Sequence, residues 1–167
     1  HSQRQATFEA ARRAGLNCDR LLNEPTAAAL AFGFRRDYER TVLVYDLGGG
    51  TFDISILRMS SGVYETLSTH GDTYLGGEDF DFRLVDYLAD DFQNRAGVDL
   101  RQDVVALQRL KDSAERAKCE LSFTDRTTVL IPRVTAKRNL EMVVDRLTLE
   151  GLVEDLIERT LMVTRKA

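Results

Sequence analysis

The sequence lacks tryptophan, has only two cysteines and two prolines, and contains no long uninterrupted run of apolar residues. Cys18 and Cys119 have neither the spacing of a metal site nor the density of a disulfide scaffold, so we interpret them as reduced thiols. No apolar stretch approaches the roughly 18 residues that a membrane helix needs, and the first residues, HSQRQATFEA, have no signal-peptide pattern. We therefore expect a cytoplasmic protein that does not insert into a membrane.

The sequence also lacks a strong excess of either charge. Its 23 basic and 27 acidic residues give a net charge of -4, so the surface as a whole does not attract nucleic acid or anionic lipid. Any phosphate group must therefore be held by a local site. With 167 residues, 43% of them hydrophobic, the chain can bury one core, as one domain or as two small subdomains that share a sheet.

Turn residues and apolar periodicity predict two helices followed by a meander of strands in the first half of the chain. The first helix ends at Gly15, and the second begins near Pro25 and ends at Gly33. After the charged connector FRRDYER, the pattern predicts strands at 41–46, 51–59 and 63–69, of which the first is expected to be buried and to form a hairpin with the second.

Helical periodicity is clearest in the second half of the chain. It predicts a helix that ends near Gly97, a second helix at 103–121, strands at 127–134 and 140–146, and a last helix that begins at Thr148. The residues expected to face inward on these three helices are Leu84, Val85, Leu88 and Phe92, then Leu107, Leu110, Ala114, Ala117 and Leu121, then Leu149, Leu152, Val153, Leu156, Ile157 and Leu161. The last helical pattern still runs at TRKA, and the first residues open directly into a helix, so we expect the chain to be cut from a longer protein.

The segment YDLGGGTFD is the strongest candidate for a phosphate site. Three consecutive glycines let backbone N–H groups turn toward one point without a Cβ atom in the way, although an ordinary glycine turn in a sheet is the alternative. The segment is not a Walker P-loop, because no Lys-Ser/Thr pair follows the glycines and the next residues predict a strand.

Asp46 and Asp53 flank this turn, and either could instead be a solvated turn residue. Like charges about 4 Å apart repel by roughly 4 kcal/mol at an effective dielectric constant near 20, so carboxylates beside a phosphate need a cation between them. Mg²⁺ with its waters fits, with K⁺ as a second candidate cation. Asp46 would act through a metal-bound water, and Thr51 could offer its hydroxyl to the terminal phosphate.

Glu24 is a further candidate because it stands directly before the predicted second helix, in the segment NEPTAAA. It could orient or deprotonate an attacking water. An acid at a helix N-terminus is also stabilised by the helix dipole, so position alone does not assign this role.

Five segments, NEPTAAALAFGF, VYDLGGGTFDISIL, GDTYLGGEDFD, LQRLKDSAERAKCELS and LEGLVEDLIERTL, resemble the Hsp70 family in order and spacing and span nearly the whole chain. The resemblance implies part of an actin-like ATPase fold, a ribonuclease H-like α/β architecture with a smaller α+β outer subdomain. It also implies a stress-response chaperone that binds ATP or ADP with Mg²⁺ and couples hydrolysis to the binding of unfolded polypeptides. By this resemblance, residues 1–35 lead into the second lobe, 36–75 form its core sheet, 76–152 the outer subdomain, and 153–167 a helix that returns to the core.

The resemblance also assigns roles to individual residues. It places the second phosphate loop on Asp46 and on residues 48–53, with catalytic roles for Glu24, Asp46 and Thr51. The residues that it implies in nucleotide binding are Gly48, Gly49, Gly50 and Thr51 for phosphate, Gly76, Gly77 and Glu78 in the turn below it, and Glu115, Lys118, Cys119 and Ser122 along the adenosine. Cys119 stands where many relatives have an arginine that stacks on adenine, so the packing of the ring is expected to differ.

The family pattern further implies partners and missing parts. Residues 76–152 would bind a nucleotide-exchange factor, while a J-domain co-chaperone and unfolded clients would bind the parent protein. The first phosphate loop, the lysine that reaches the terminal phosphate and the later GGxxR motif have no counterpart in this sequence, so weak or no ATP hydrolysis is expected from it alone. One alternative is a partner-binding module without nucleotide. A second, a sugar kinase or filament-forming relative with the same fold, is disfavoured by the segments NEPTAAA and GGEDFD.

Overall fold

Residues 2–33, 39–60 and 62–167 are described by the structure, a computed structural model. Its elements are, in chain order, α1 (Ser2–Arg13), α2 (Glu24–Gly33), β1 (Arg40–Leu47), β2 (Phe52–Ser60), β3 (Val63–Asp72), α3 (Gly77–Ala96), a 3₁₀ helix (Leu100–Gln102), α4 (Val104–Leu121), β4 (Arg126–Thr135), β5 (Arg138–Asp145) and α5 (Arg146–Thr164). In this described part, β1, β2 and β3 form one sheet in that order, and β4 pairs with β5. The chain is thus a mixed α/β protein with small sheets.

Contacts divide the chain into two compact units, residues 1–45 with 55–69 and residues 46–54 with 70–167. The predicted division into four segments stays a prediction, since compact units need not coincide with the subdomains of a larger domain. Most of the predicted connector FRRDYER, and the predicted boundary at 35/36, lie outside the described residues.

The first unit has a small apolar cluster of its own. Ala29, Leu57 and Met59 are buried, and side chains of β1 and β3 pack against them. The expectation that β1 is a buried strand is wrong in this chain, because Leu43 and Tyr45 are 53% and 44% exposed. In the described sheet β1 lies at the edge and β2 in the middle, so every second side chain of β1 turns away from the core while β2 carries the buried residues.

The main core of the second unit lies between two helices and a two-stranded sheet. The predicted inward face of α3 is confirmed, since Leu84, Val85, Leu88 and Phe92 are all buried. On α4 the predicted residues are buried or packed against the core, and β4 and β5 contribute alternate residues, with Ile131 opposite Leu140 in the antiparallel register. The other buried residues contributed by these elements are Ala89, Ala106, Leu110, Ala114, Ala117, Leu121, Val129, Val134 and Val144.

A second cluster in the same unit joins β2 to α5. Phe52, Ile54 and Leu75 pack with Val153 and Leu156. The expectation that Ile157 and Leu161 face inward is wrong in this chain, because they are 41% and 40% exposed. The buried row continues instead through Thr160, which lies four residues after Leu156 on the same helical face.

The ends of the helices explain why the chain turns where it does. α3 ends at Ala96, near Gly97 as predicted, and the φ of 71° at Gly97 lies in the left-handed region that favours glycine. Asp103 and Asp145 cap α4 and α5 by accepting hydrogen bonds from backbone N–H groups of the first turn. The last helix therefore begins at Arg146, two residues before the predicted Thr148, and the preceding strand ends at Asp145.

Candidate functional site

The glycine turn between β1 and β2 is closed by one backbone hydrogen bond, from the N–H of Gly48 to the carbonyl of Thr51 at 2.9 Å. Gly49 and Gly50 are exposed at its tip, and a Cβ atom added to either would meet no other atom within 4 Å. Neither has a positive φ, which among the described glycines occurs only at Gly15, Gly62 and Gly97. Packing and backbone torsion thus do not account for the two glycines at the tip, while close approach of a ligand would account for them.

The carbonyl groups of this turn are held by the N-terminus of α3. The N–H of Gly77 donates to the carbonyl of Gly48, and the N–H of Glu78 donates to the carbonyl of Gly49, both at 2.8 Å. The first N–H groups of a helix have no partner within the helix, so the turn supplies acceptors for two of them. In a trans peptide the N–H points opposite to the carbonyl, so the N–H groups of Gly49 and Gly50 point away from α3. Two adjacent donors therefore face the open side of the turn, as anion binding requires.

Gly76 permits this close contact. It is buried, and a Cβ atom there would lie 2.5 Å from Cα of Gly50 and closer still to the carbonyl oxygen of Gly49. Its φ of -162° is ordinary extended backbone, so the constraint is space, not torsion. The N–H of Gly76 donates to the carboxylate of Asp79 at 2.8 Å, which fixes the start of the helix.

Asp72 anchors the loop that leads to Gly76. Its carboxylate accepts the N–H of Tyr74 at 2.9 Å and the guanidinium of Arg159 at 2.6 Å. The hydrogen bond from the Tyr74 N–H, followed by that from Arg159, holds the pKa of Asp72 below its usual value. The loop between β3 and α3 is thus fastened to α5 just before it meets the glycine turn.

Lys118 of α4 contacts the N-terminal end of α3, the helix that supports the glycine turn. Its ammonium donates to the carbonyl of Gly77 at 3.0 Å and to the carboxylate of Asp81 at 2.8 Å. Both side chains are largely buried, with 25% of Lys118 and 16% of Asp81 exposed. Sequence reasoning selected Lys118 but missed Asp81, because no local pattern links two residues on different helices.

The other predicted adenosine residues lie along the same helix. Glu115 and Cys119 are exposed on α4, and Ser122, directly after its last residue, is also exposed. Their spacing of three to four residues places them with Lys118 on one flank of the helix. Glu115 also lines a cleft of about 260 Å³ between α3 and α4, whose other lining residues are Glu78, Asp81, Phe82, Gln108, Lys111 and Asp112. The structure therefore collects the turn, residues 76–78 and the Lys118 flank in one unit.

The predicted metal and catalytic residues are only partly brought together. Asp46, at the end of β1, is half-buried, and Asp53, near the start of β2, is exposed with one carboxylate oxygen beside Gly71. The described residues contain no group of three or more acids, histidines or cysteines arranged for a metal ion, so these two carboxylates would need waters or phosphate oxygens to complete a Mg²⁺ shell. Thr51 is exposed in the turn, whereas Glu24 begins α2 in the other unit.

The match to a family model identifies the family of the chain. None of the helices in the described ranges combines the length and the apolar composition of a transmembrane span. The family model for Hsp70 protein matches residues 1–167, which is the whole sequence. The glycine turn, the two glycines at the start of α3 and the lysine of α4 lie in one unit, and they belong to three of the five segments on which the resemblance rests. The chain belongs to the Hsp70 family.

Proposed function

We propose that this chain is part of the ATP-binding and ATP-hydrolysing domain of an Hsp70-type chaperone with an actin-like ATPase fold. The observation that carries the proposal is the hydrogen bonding of the Gly48 and Gly49 carbonyls to the first N–H groups of α3. This arrangement leaves the N–H groups of Gly49 and Gly50 directed toward an open side. Such donors suit the oxygens of a nucleotide's phosphates.

The adenosine end of the nucleotide is proposed to lie along α4. Lys118 is fixed within hydrogen-bonding distance of Gly77, one residue after the glycine that contacts the phosphate turn. Glu115, Cys119 and Ser122 are exposed along the same flank and available to a ligand. Glu115 and Lys118 would bind the ribose hydroxyls, and Ser122 the base.

The chemistry at the phosphates is proposed from the carboxylates and the hydroxyl near the turn. Asp46 and Asp53 would hold Mg²⁺ through its waters, and the ion would neutralise phosphate charge when bound. Thr51 would donate its hydroxyl to the terminal phosphate, and Glu24 would orient the attacking water. Because the first phosphate loop and the phosphate-binding lysine of the family pattern have no counterpart in the sequence, we expect these 167 residues alone to hydrolyse ATP poorly or not at all.

Calorimetric titration of Mg·ADP into the chain tests this proposal, with Lys118→Ala and Asp46→Asn as variants. We expect saturable binding that Lys118→Ala weakens about tenfold, because a hydrogen bond to a charged group contributes roughly 1.5 kcal/mol or more. Asp46→Asn should weaken binding when Mg²⁺ is present and change it little in EDTA. Arg58→Ala is the control, because it removes a charge at an exposed ion pair in the other unit, and this variant should bind Mg·ADP as the unaltered chain does.

Binding that is indifferent to both variants would overturn the assignment of these residues. Absence of binding would favour the second candidate, a module that binds a partner without nucleotide. The β4–β5 sheet exposes Leu130 and Val143 by 54% and 60%, and such apolar side chains on a sheet face are suited to protein contacts. For the parent protein we propose a nucleotide-exchange factor on residues 76–152, a J-domain co-chaperone and unfolded polypeptides as partners.

A further inference from the structure

We infer that Asp81 is a positioning residue of the nucleotide site, which acts by holding the ammonium of Lys118 against the carbonyl of Gly77. The inference rests on the proposed function for the identity of the ligand. Asp81 and Gly77 belong to α3, which supports the glycine turn, and Lys118 belongs to α4, which carries the proposed adenosine residues, so this ion pair ties the two helices together.

The geometry at Lys118 leaves part of its ammonium available. A lysine ammonium has three N–H donors. One donates to the carbonyl of Gly77 at 3.0 Å and one to an oxygen of Asp81 at 2.8 Å. The second oxygen of Asp81 is also 2.8 Å away, but within the described residues it accepts no hydrogen bond. The third N–H of Lys118 donates to no group among the described residues, and the side chain is 25% exposed. This N–H is therefore the one that can donate a hydrogen bond to a ribose hydroxyl.

Lys118 needs the carboxylate of Asp81 because its side chain is largely buried. A mostly buried ammonium without an anionic partner would turn out to solvent, since burying an unpaired charge is unfavourable. The carbonyl of Gly77 alone is a neutral acceptor and forms a weaker bond than a carboxylate does. The ion pair thus fixes the direction of the free N–H before the ligand arrives, which lowers the ordering cost of binding.

The same contacts connect the adenosine helix with the phosphate turn. Gly77 accepts from Lys118 through its carbonyl and donates to Gly48 through its N–H at 2.8 Å. The carbonyl of Gly77 shares a peptide group with the N–H of Glu78, which donates to the carbonyl of Gly49 at 2.8 Å, so a polarised chain of hydrogen bonds runs from Asp81 and Lys118 through this peptide group to the turn. Displacement of Lys118 is expected to affect the ribose first and the phosphate contact second.

Limited acylation with acetic anhydride, followed by peptide mass spectrometry, tests the positioning without any nucleotide. In the unaltered chain, Lys118 should react more slowly than the exposed Lys166, because its ammonium must first leave Asp81 and Gly77. Asp81→Asn should raise the rate at Lys118 about tenfold, the factor expected for losing a hydrogen bond to a charged group, and Asp81→Glu should restore part of the protection. Asp90→Asn is the matched control, because Asp90 lies on the same helix but pairs with Arg101 at 2.6 Å.

A double-mutant cycle on nucleotide binding tests the functional half. Asp81→Asn should weaken Mg·ADP about tenfold, leave 2′,3′-dideoxy-ADP nearly unchanged, and add nothing when Lys118 is already alanine. Equal losses for both nucleotides, or additive effects of the two substitutions, would overturn the inference. Unchanged acylation of Lys118 in Asp81→Asn would overturn it as well. If the unaltered chain binds neither nucleotide, the proposed function fails, and the acylation rates still decide whether Asp81 positions Lys118.

Discussion

Gly76→Ala is the substitution that most directly challenges the contact between the glycine turn and α3. The added Cβ atom would stand 2.5 Å from Cα of Gly50, a backbone atom that cannot rotate away as a side chain would. The turn must therefore move, and the hydrogen bonds from Gly77 to Gly48 and from Glu78 to Gly49 are stretched or lost. At about 0.5–1.5 kcal/mol each, the two bonds correspond to roughly 1–3 kcal/mol of unfolding free energy.

Thermal unfolding followed by circular dichroism measures this change. A loss of about 2 kcal/mol corresponds to a melting temperature about 4–8 °C lower for a chain of this size. Gly151→Ala is the control, because Gly151 lies in α5 with open space around its Cα, and alanine there should stabilise the helix by about 0.5–1 kcal/mol. Glycine to alanine should thus lower the free energy of unfolding at residue 76 and raise it at residue 151. A Gly76→Ala chain that has the melting temperature and the Mg·ADP affinity of the unaltered chain would refute the reasoning.

Three further changes have defined outcomes. Leu88→Ala should cost about 2–5 kcal/mol in urea unfolding because Leu88 is fully buried, whereas Ile157→Ala, at a residue 41% exposed, should cost well under half of that; equal costs would contradict the two assignments of burial. The hydroxyl and backbone N–H of Thr148 lower the pKa of Asp145 below its usual 3.8. The difference in unfolding free energy between the unaltered chain and Asp145→Asn should therefore be complete near neutral pH and shrink as the pH falls below about 4. A difference that grows in acid would contradict this. Cys119→Arg should tighten Mg·ADP binding about threefold or more in calorimetry by stacking on adenine, and unchanged affinity would place the base elsewhere.

Local signals in the sequence were sufficient for most of the elements. The hairpin around the three glycines, the end of α3 near Gly97 and the inward face of α3 all depend on residues within one turn or one helix, and the structure confirms them. The exposure of β1 could not be predicted in this way. An apolar run such as the one at 41–46 fits a strand buried on both faces, and only the order of strands shows that β1 is at the edge.

The candidate site depends more on distant contacts. Lys118 is 41 residues from Gly77 and 37 from Asp81, so no local pattern could reveal that the three meet. The support of the glycine turn by α3 likewise joins residues far apart in the chain, and it became visible only in the structure. The family resemblance selected Gly76, Gly77 and Lys118 without explaining them, whereas the packing gives the physical reason for Gly76.

Mapping of Mg·ADP by ¹H–¹⁵N NMR chemical shifts would test nucleotide binding at this turn most directly. We predict that the amides of Gly49 and Gly50 shift most, because their N–H groups point to the open side of the turn, and that the Lys118–Ser122 flank of α4 shifts with them. Saturating Mg·ADP that leaves these amides unmoved, or that shifts only residues of α1, would contradict the assignment of the nucleotide to this site.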